Sequence, residues 1–157
     1  RMPGVSVVVH DIDGGKAAVA ATLGVSFAND HRDIGPFDVV VHASGDPAGL
    51  RTALGLADFE GLILEMSWFG DRPVTLPLGE AFHSRRLTLR SSQVGAVSPS
   101  HRGRYSHRQR LELALGLLRD AAFDHLISGE SPFERLPQTM ADIAAGRVPA
   151  LCHRIRY

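Results

Sequence analysis

Runs of aliphatic and β-branched residues alternate with helix-forming segments, and this alternation constrains the fold most. The runs Val5–His10, Phe37–Ala43 and Gly61–Ser67 are nearly continuous in apolar character. Such runs are typical of strands covered on both faces in a parallel sheet. Between the first two, Lys16–Leu23 is rich in alanine and is followed by Gly24, which predicts a helix with a left-handed C-terminal cap. The alternation predicts an α/β fold.

Further along the chain, capping residues mark two more helices. Asp46 followed by Pro47 predicts an N-cap with proline at the first helical position, in a helix that runs to about Ala57. Ser106 and Gln109 fit a capping box. The remaining predicted elements are a short strand at 25–28, a strand at 87–94, a helix from Ser106 with leucines at helical spacing, a helix at 133–145 and a strand at 150–155.

Composition excludes several classes of protein. The chain is 44% hydrophobic and 22% charged, which suits a folded core. Because 17 Lys and Arg balance 17 Asp and Glu, no general attraction to nucleic acid is predicted, and the arginine-rich segment 101–110 is interpreted as a solvated loop and helix start. No apolar run suits a membrane span, and no signal peptide pattern is present at the N-terminus. One cysteine, Cys152, excludes an internal disulfide and a multi-thiolate metal site. A cytoplasmic protein with no metal site of its own is therefore expected.

Polar and small residues follow the predicted strands. Asp11 comes directly after the first run, Ser44 and Gly45 follow the second, and Ser67 ends the third. In open α/β sheets ligands bind at the carboxyl ends of the strands, where an acid can accept hydrogen bonds from ribose hydroxyls. The alternative is that Asp11 only caps the following turn. Small residues such as Gly45 let a flat ligand approach the backbone.

In this order, four segments resemble the medium-chain dehydrogenase/reductase superfamily, and more closely the nucleotide-binding half of zinc-type alcohol dehydrogenases. The segments are VVHDID (8–13), FDVVVHASG (37–45), GLILEMSWFGD (61–71) and RLTLRSSQVG (86–95). The resemblance implies a Rossmann-type, doubly wound, mostly parallel sheet. It also implies that 1–157 is one dinucleotide-binding domain, in which 130–157 is the return segment to a catalytic domain.

The resemblance assigns residues to the cofactor. Asp11 matches the ribose-binding acid, and its carboxylate favours NAD over NADP because it would repel a 2′-phosphate. The turn beside the adenosine is matched by Ser44, Gly45 and Asp46, and the positions flanking the nicotinamide by Ser67, Trp68, Ser91 and Ser92. The implied activity is hydride transfer between nicotinamide and an alcohol or carbonyl compound, and the implied partner is a second copy joined through the strand 87–94.

Two family features are missing from the chain: the glycine-rich pyrophosphate turn and the strand before it. In the 3-2-1-4-5-6 strand order the missing strand lies between the strand of Asp11 and the strand of Ser44. Because unpaired backbone groups are costly, we expect the chain to be part of a longer protein. A catalytic zinc would then be held by an N-terminal domain outside this chain.

Several alternatives stay open. An S-adenosylmethionine-dependent methyltransferase also uses an acid after its second strand, but its sheet ends in an antiparallel hairpin that the sequence does not show. A non-catalytic nucleotide-binding or dimerisation module is the other alternative. His10 and His42 end neighbouring predicted strands and could approach each other, and a hydrogen-bonded core histidine is favoured over a catalytic one. Cys152 is expected to pack beneath the last strand.

Overall fold

The computed structural model describes residues 3–157, which form two compact units. One unit holds residues 10–12 and 28–104, and the other holds the residues up to Val9, 13–27 and 105–157. Arg1 and Met2, with which the predicted domain begins, lie outside the described residues.

The order of elements is α/β throughout, as the sequence predicts. The strands are β1 (Val8–His10), β2 (Ser26–Ala28), β3 (Phe37–His42), β4 (Ala57–Glu65), β5 (Thr88–Ser91), β6 (Ile127–Pro132) and β7 (Cys152–Arg156). The helices are α1 (Ala17–Thr22), α2 (Pro47–Leu56), α3 (His107–Leu117) and α4 (Leu136–Ala144). Short 3-10 turns at Gly14–Lys16, His31–Asp33, Ala121–Leu126 and Phe133–Arg135, and a kinked helical segment at Leu78–Phe82, complete the regular structure.

The central strands β3, β4 and β5 form a parallel sheet in that order, and α2 lies against β3 and β4. The core of this unit lies between α2 and the sheet, where Leu54 and Ile63 are almost completely buried. The helix buries the face that the sequence predicts, with Leu50, Ala53 and Leu54 inside. Burial of this apolar stripe supplies most of the stability of such a helix.

The opposite face of the sheet differs from the prediction. Val39 and Val41 on β3 are 52% and 55% exposed, whereas Val40 and His42 point toward α2. The prediction of cover on both faces is wrong for β3, because alternate side chains of this strand face solvent in the described residues. The first strand is likewise shorter than the predicted run, and Val5 and Val7 are exposed.

The strands β1 and β2 pair with each other in a separate two-stranded sheet. Within residues 3–157, β3 pairs only with β4. The predicted α/β, Rossmann-like fold with parallel strands is confirmed.

In the other unit, β6, α4 and β7 form a β-α-β unit with parallel strands. Neither this pair nor the β3–β4–β5 sheet contains the antiparallel hairpin that a methyltransferase would require. Helix α3 begins at the predicted capping box, in which Ser106 and Gln109 satisfy each other's backbone amides. Its leucines form no buried face in the described chain, and Leu111, Leu115 and Leu118 are all more than half exposed.

The conformation of Gly24 agrees with the sequence prediction, and the exposure of Cys152 does not. Gly24 has φ +70°, the left-handed conformation expected after α1. Cys152 is exposed, so the prediction that it packs beneath the last strand is wrong. In the described part of the chain, no helix is long and apolar enough to cross a membrane.

Candidate functional site at the carboxyl ends of the strands

The carboxyl ends of β3, β4 and β5 lie side by side. His42 is in register with Glu65, and Glu65 is in register with Ser91. Two backbone hydrogen bonds continue this edge beyond the strands: the Met66 amide donates to the His42 carbonyl, and the Ser92 amide donates to the Glu65 carbonyl, each at 2.8 Å. The structure therefore brings to one edge of the sheet the predicted residues Ser44, Gly45, Asp46, Ser67, Trp68, Ser91 and Ser92.

The turn from β3 into α2 is built as the sequence predicts. Gly45 has φ +70°, a conformation that favours glycine. The Asp46 carboxylate caps α2 by accepting from the Ala48 amide at 2.7 Å, and Pro47 occupies the first turn. The Asp46 carboxylate is thus engaged as the N-cap of α2.

A buried pair of side chains, His42 and Glu65, lies directly beneath this turn. His42 Nδ1 and Glu65 Oε2 are 2.7 Å apart, and the two side chains are only 5% and 12% exposed. Glu65 Oε1 also accepts a hydrogen bond from the Ser67 amide at 2.6 Å. Both oxygens of the Glu65 carboxylate therefore face hydrogen-bond donors.

Two serine hydroxyls connect this pair to the surface. Ser44 Oγ lies 2.7 Å from His42 Nε2 and accepts a hydrogen bond from the Asp46 amide at 3.2 Å. Ser67 Oγ accepts from the Gly45 amide at 2.9 Å and so ties the turn to β4. Ser44 is exposed, whereas Ser67 is half-buried. Ser44 is therefore the point at which the buried pair meets solvent.

Gly49 makes this arrangement sterically possible. A Cβ at this position of α2 would lie 2.8 Å from His42 Nε2 and closer still to Ser44 Oγ. The ring of Phe69 stacks near His42, with centroids 6.3 Å apart and planes 13° apart. The histidine is thus fixed from several directions.

Sequence reasoning missed Glu65 and Gly49. The available signals were an ionisable residue inside the aliphatic run of β4 and a glycine in the interior of a helix, where alanine is more stable by about 1 kcal/mol. His42 is a hydrogen-bonded core histidine, as favoured. It does not pair with His10, whose Nδ1 lies 3.0 Å from the Ala28 carbonyl and whose ring lies near that of His31.

Asp11 follows β1 directly and is half-buried. Its amide donates to the Ala28 carbonyl at 3.3 Å, and its own carbonyl accepts from Asn29 Nδ2 at 2.9 Å. The cap of the following turn is Asp13, whose side chain accepts from the Gly15 amide. The residue that caps this turn is therefore the neighbouring aspartate.

The remaining predicted residues lie at the surface. Trp68 is 90% exposed, and Ser91 and Ser92 are exposed at the end of β5. In residues 3–157, no group of three His, Cys, Asp or Glu side chains could hold a metal ion. The described residues thus do not fit a catalytic zinc, and none of this chain's chemistry is assigned to one.

Three carboxyl groups with lowered pKa values lie outside this edge. Hydrogen bonds from the Arg32 side chain hold the pKa of Asp30 well below its ordinary value. Arg154 lowers the pKa of Glu130, and Gln138 together with Arg147 lowers the pKa of Asp142. All three carboxyl groups take part in ion pairs or hydrogen bonds at the surface, which are typical of structural contacts.

No protein-family model matches the chain, and no curated protein matches its sequence. Solved structures match over almost its whole length. L-idonate 5-dehydrogenase from Escherichia coli K-12 is 19% identical with a TM-score of 0.68, covering 98% of this chain and 43% of its own. A short chain alcohol dehydrogenase (rspB) from E. coli CFT073, complexed with NADH, is 15% identical with a TM-score of 0.69, covering 97% and 44%.

A third matching structure contains NADPH. YhdH from E. coli K-12 with bound NADPH is 15% identical with a TM-score of 0.65, covering 94% of this chain and 46% of its own. The chain thus spans less than half the length of each of these three proteins. The fold that the resemblance implies is confirmed: this chain shares a Rossmann-like α/β fold with part of each of these three proteins.

Proposed function

We propose that this chain is the cofactor-binding domain of an NAD(P)-dependent oxidoreductase, which transfers hydride between nicotinamide and an alcohol or carbonyl compound. The supporting observation is the single edge at which β3, β4 and β5 end, with the Ser44–Gly45 turn entering α2 there. Ligands of open α/β sheets bind at such an edge. The likeness in fold to NADH- and NADPH-bound proteins agrees with this assignment.

Within this function, Asp11 binds the ribose hydroxyls of the cofactor, and the backbone around Ser44, Gly45, Ser67, Trp68, Ser91 and Ser92 lines its path. Asp46 supports this path by capping α2. The position of Asp11 directly after β1 supports this role, and the turn that follows is capped by Asp13. NAD is the preferred cofactor, because a carboxylate beside the 2′ position repels a phosphate there.

The Asp11 assignment is tested by Asp11→Ala in the intact protein. NADH binding should weaken by roughly 1 to 3 kcal/mol, because charged hydrogen bonds to the ribose are lost. NADPH binding should weaken less, because the same change removes a repulsion. Isothermal titration with both cofactors measures the two effects.

Asp13→Ala is the matched control, since it removes a carboxylate two residues away that caps a turn. It should leave the ratio of NADH to NADPH affinity unchanged. Unaltered NADH affinity in Asp11→Ala would remove the ribose assignment. NAD binding without turnover of any alcohol by the intact protein would favour the non-catalytic module instead.

The catalytic domain, the zinc and the substrate pocket belong to the rest of the proposed enzyme, with residues 130–157 as the return segment. A homodimer is proposed through 87–94, because β5 is one of the two edge strands of its sheet in the described residues and its side chains are exposed. Pairing between two copies would cover that edge, and the mass of the intact protein in solution tests it. The cytoplasm is the proposed location.

A further inference from the structure

The buried His42–Glu65 pair beneath Ser44 fixes the direction of the hydrogen bond between Ser44 and His42, as well as the position of the Ser44 hydroxyl. Glu65 accepts two hydrogen bonds, one from the Ser67 amide at 2.6 Å and one from His42 Nδ1 at 2.7 Å. In the neutral imidazole one nitrogen carries the proton and the other accepts. Because the carboxylate takes the proton on Nδ1, Nε2 is the acceptor.

The consequence falls on Ser44. With Nε2 as acceptor at 2.7 Å, the Ser44 hydroxyl must donate its one hydrogen to His42. One oxygen lone pair then accepts from the Asp46 amide at 3.2 Å. The other lone pair is left on an exposed side chain at the carboxyl edge of the sheet.

The order Ser44, His42, Glu65 resembles the relay of a serine hydrolase, but its surroundings do not suit that reaction. Such a reaction needs free backbone amides to stabilise an oxyanion. The amides beside Ser44 already donate to side chains: Gly45 to Ser67 Oγ, Asp46 to Ser44 Oγ and Ala48 to Asp46 Oδ1. The hydroxyl is therefore arranged for binding.

We propose that His42 and Glu65 are positioning residues which make Ser44 a hydrogen-bond acceptor for the cofactor, so that Ser44 selects a hydrogen-donating group of the ligand over a phosphate oxygen. This inference rests on the proposed function for its ligand, and on the geometry alone for the direction of the hydrogen bonds. The ligand group is a ribose hydroxyl or an amine or amide N–H.

Glu65→Gln reverses the arrangement without changing its shape. The Ser67 amide would hold the carbonyl oxygen of the new side chain, which turns its NH₂ group toward His42 Nδ1. Nδ1 then accepts, Nε2 carries the proton, and Ser44 accepts from Nε2 with its own hydrogen released toward the ligand. Glu60→Gln is the matched control, because Glu60 lies on the same strand and pairs with Arg86 at the surface.

The first measurement needs no cofactor. Nitrogen-15 NMR of the intact protein in mild alkali reports which nitrogen of His42 is protonated. The wild type and Glu60→Gln should show the proton on Nδ1, and Glu65→Gln should show it on Nε2. A protonated Nε2 in the wild type would overturn the proposal, whether or not the protein binds a dinucleotide.

The second measurement is a double-mutant cycle of affinity. Ser44→Ala and Glu65→Gln should each weaken NADH binding about five- to tenfold, as expected for one hydrogen bond. Together they should weaken it no more than Ser44→Ala alone, because Glu65 acts through Ser44. A further loss in the double variant would overturn the proposal, as would unchanged NADH affinity in Ser44→Ala.

The source of the ligand's hydrogen is read from two smaller probes. ADP-ribose lacks the carboxamide. If Glu65→Gln weakens ADP-ribose binding, the donor is a ribose hydroxyl or the adenine amine. If ADP-ribose binding is unchanged, the donor is the carboxamide. Fully ionised inorganic pyrophosphate offers no donor and should bind Glu65→Gln as well as or better than the wild type. Weaker pyrophosphate binding would contradict an acceptor role for Ser44.

Failure of the wild type to bind NADH or NADPH at all would refute the proposed function, and the NMR result would still decide the direction of the hydrogen bonds.

Discussion

Two histidines of this chain each contact a serine hydroxyl through Nε2, but their other nitrogens differ. His42 lies 2.7 Å from Ser44 Oγ, and His153 lies 2.8 Å from Ser131 Oγ. The Nδ1 of His42 faces a buried carboxylate, whereas the Nδ1 of His153 lies beside Gly129, 2.9 Å from where a Cβ at that position would be. The contact with serine gains a fixed direction only where a carboxylate holds the second nitrogen.

Removing each ring is the strongest way to test this difference. His42→Ala should lower the free energy of unfolding by about 3 kcal/mol, because it leaves the Glu65 carboxylate buried without its partner. His153→Ala should cost about 1 kcal/mol or less, since that ring is half-buried and loses one neutral hydrogen bond. Chemical denaturation of the intact protein measures both, and equal losses would contradict the comparison.

A glycine beside the ring offers a second test. Gly49→Ala should destabilise the protein by about 1 to 3 kcal/mol, because the new Cβ meets His42 Nε2 at 2.8 Å in a crowded site. Gly116→Ala in α3 is the control, because its Cβ would meet nothing within 4 Å. That change should stabilise the protein by up to about 1 kcal/mol through helix propensity. Thermal unfolding distinguishes the two, and stabilisation by both would show that the site can relax.

The smallest expected effect concerns an exposed ion pair in the strand pair of His153. Glu130 is in register with Arg154, and the Arg154 Nε donates to Glu130 Oε2 at 2.7 Å. Arg154→Gln should raise the pKa of Glu130 toward its ordinary value, since Arg154 is the main cause of its lowering. NMR titration of the Glu130 carboxyl measures the shift.

The sign of the matching effect on stability follows from the lowered pKa. Glu130 stabilises the folded protein above the pKa that it has in the unfolded chain, and this contribution is lost as the pH falls through the folded pKa. Arg154→Gln should therefore flatten the acid limb of the stability curve slightly, because the pair is exposed. Arg119→Gln, at another exposed arginine, should leave the Glu130 titration unchanged.

The elements that local sequence determines were predicted well. Asp46 with Pro47 and Ser106 with Gln109 start α2 and α3 as expected, because an N-cap depends on residues within one turn. The strands β3, β4 and β5 lie side by side in the order in which they follow one another in the chain, as consecutive strands usually do. The residues after these strands were correctly expected to share one edge.

The partners of His42 could not be predicted in the same way. Glu65 lies 23 positions away and meets His42 only because β3 and β4 pair in a register that the sequence does not specify. The exposed faces of β3 and α3 were missed for a related reason. An apolar pattern identifies a face that is suited to burial, but it does not say which residues cover it.

The exposed Trp68 has a practical consequence. It is the single tryptophan of this chain, and it follows Ser67 at the carboxyl edge where the dinucleotide is proposed to bind. An indole in water emits at long wavelength, and a bound reduced nicotinamide absorbs in the same range. Trp68 fluorescence should therefore be quenched when NADH binds, and the signal should be lost in Trp68→Phe. This quenching would report occupancy of the dinucleotide site without an attached dye.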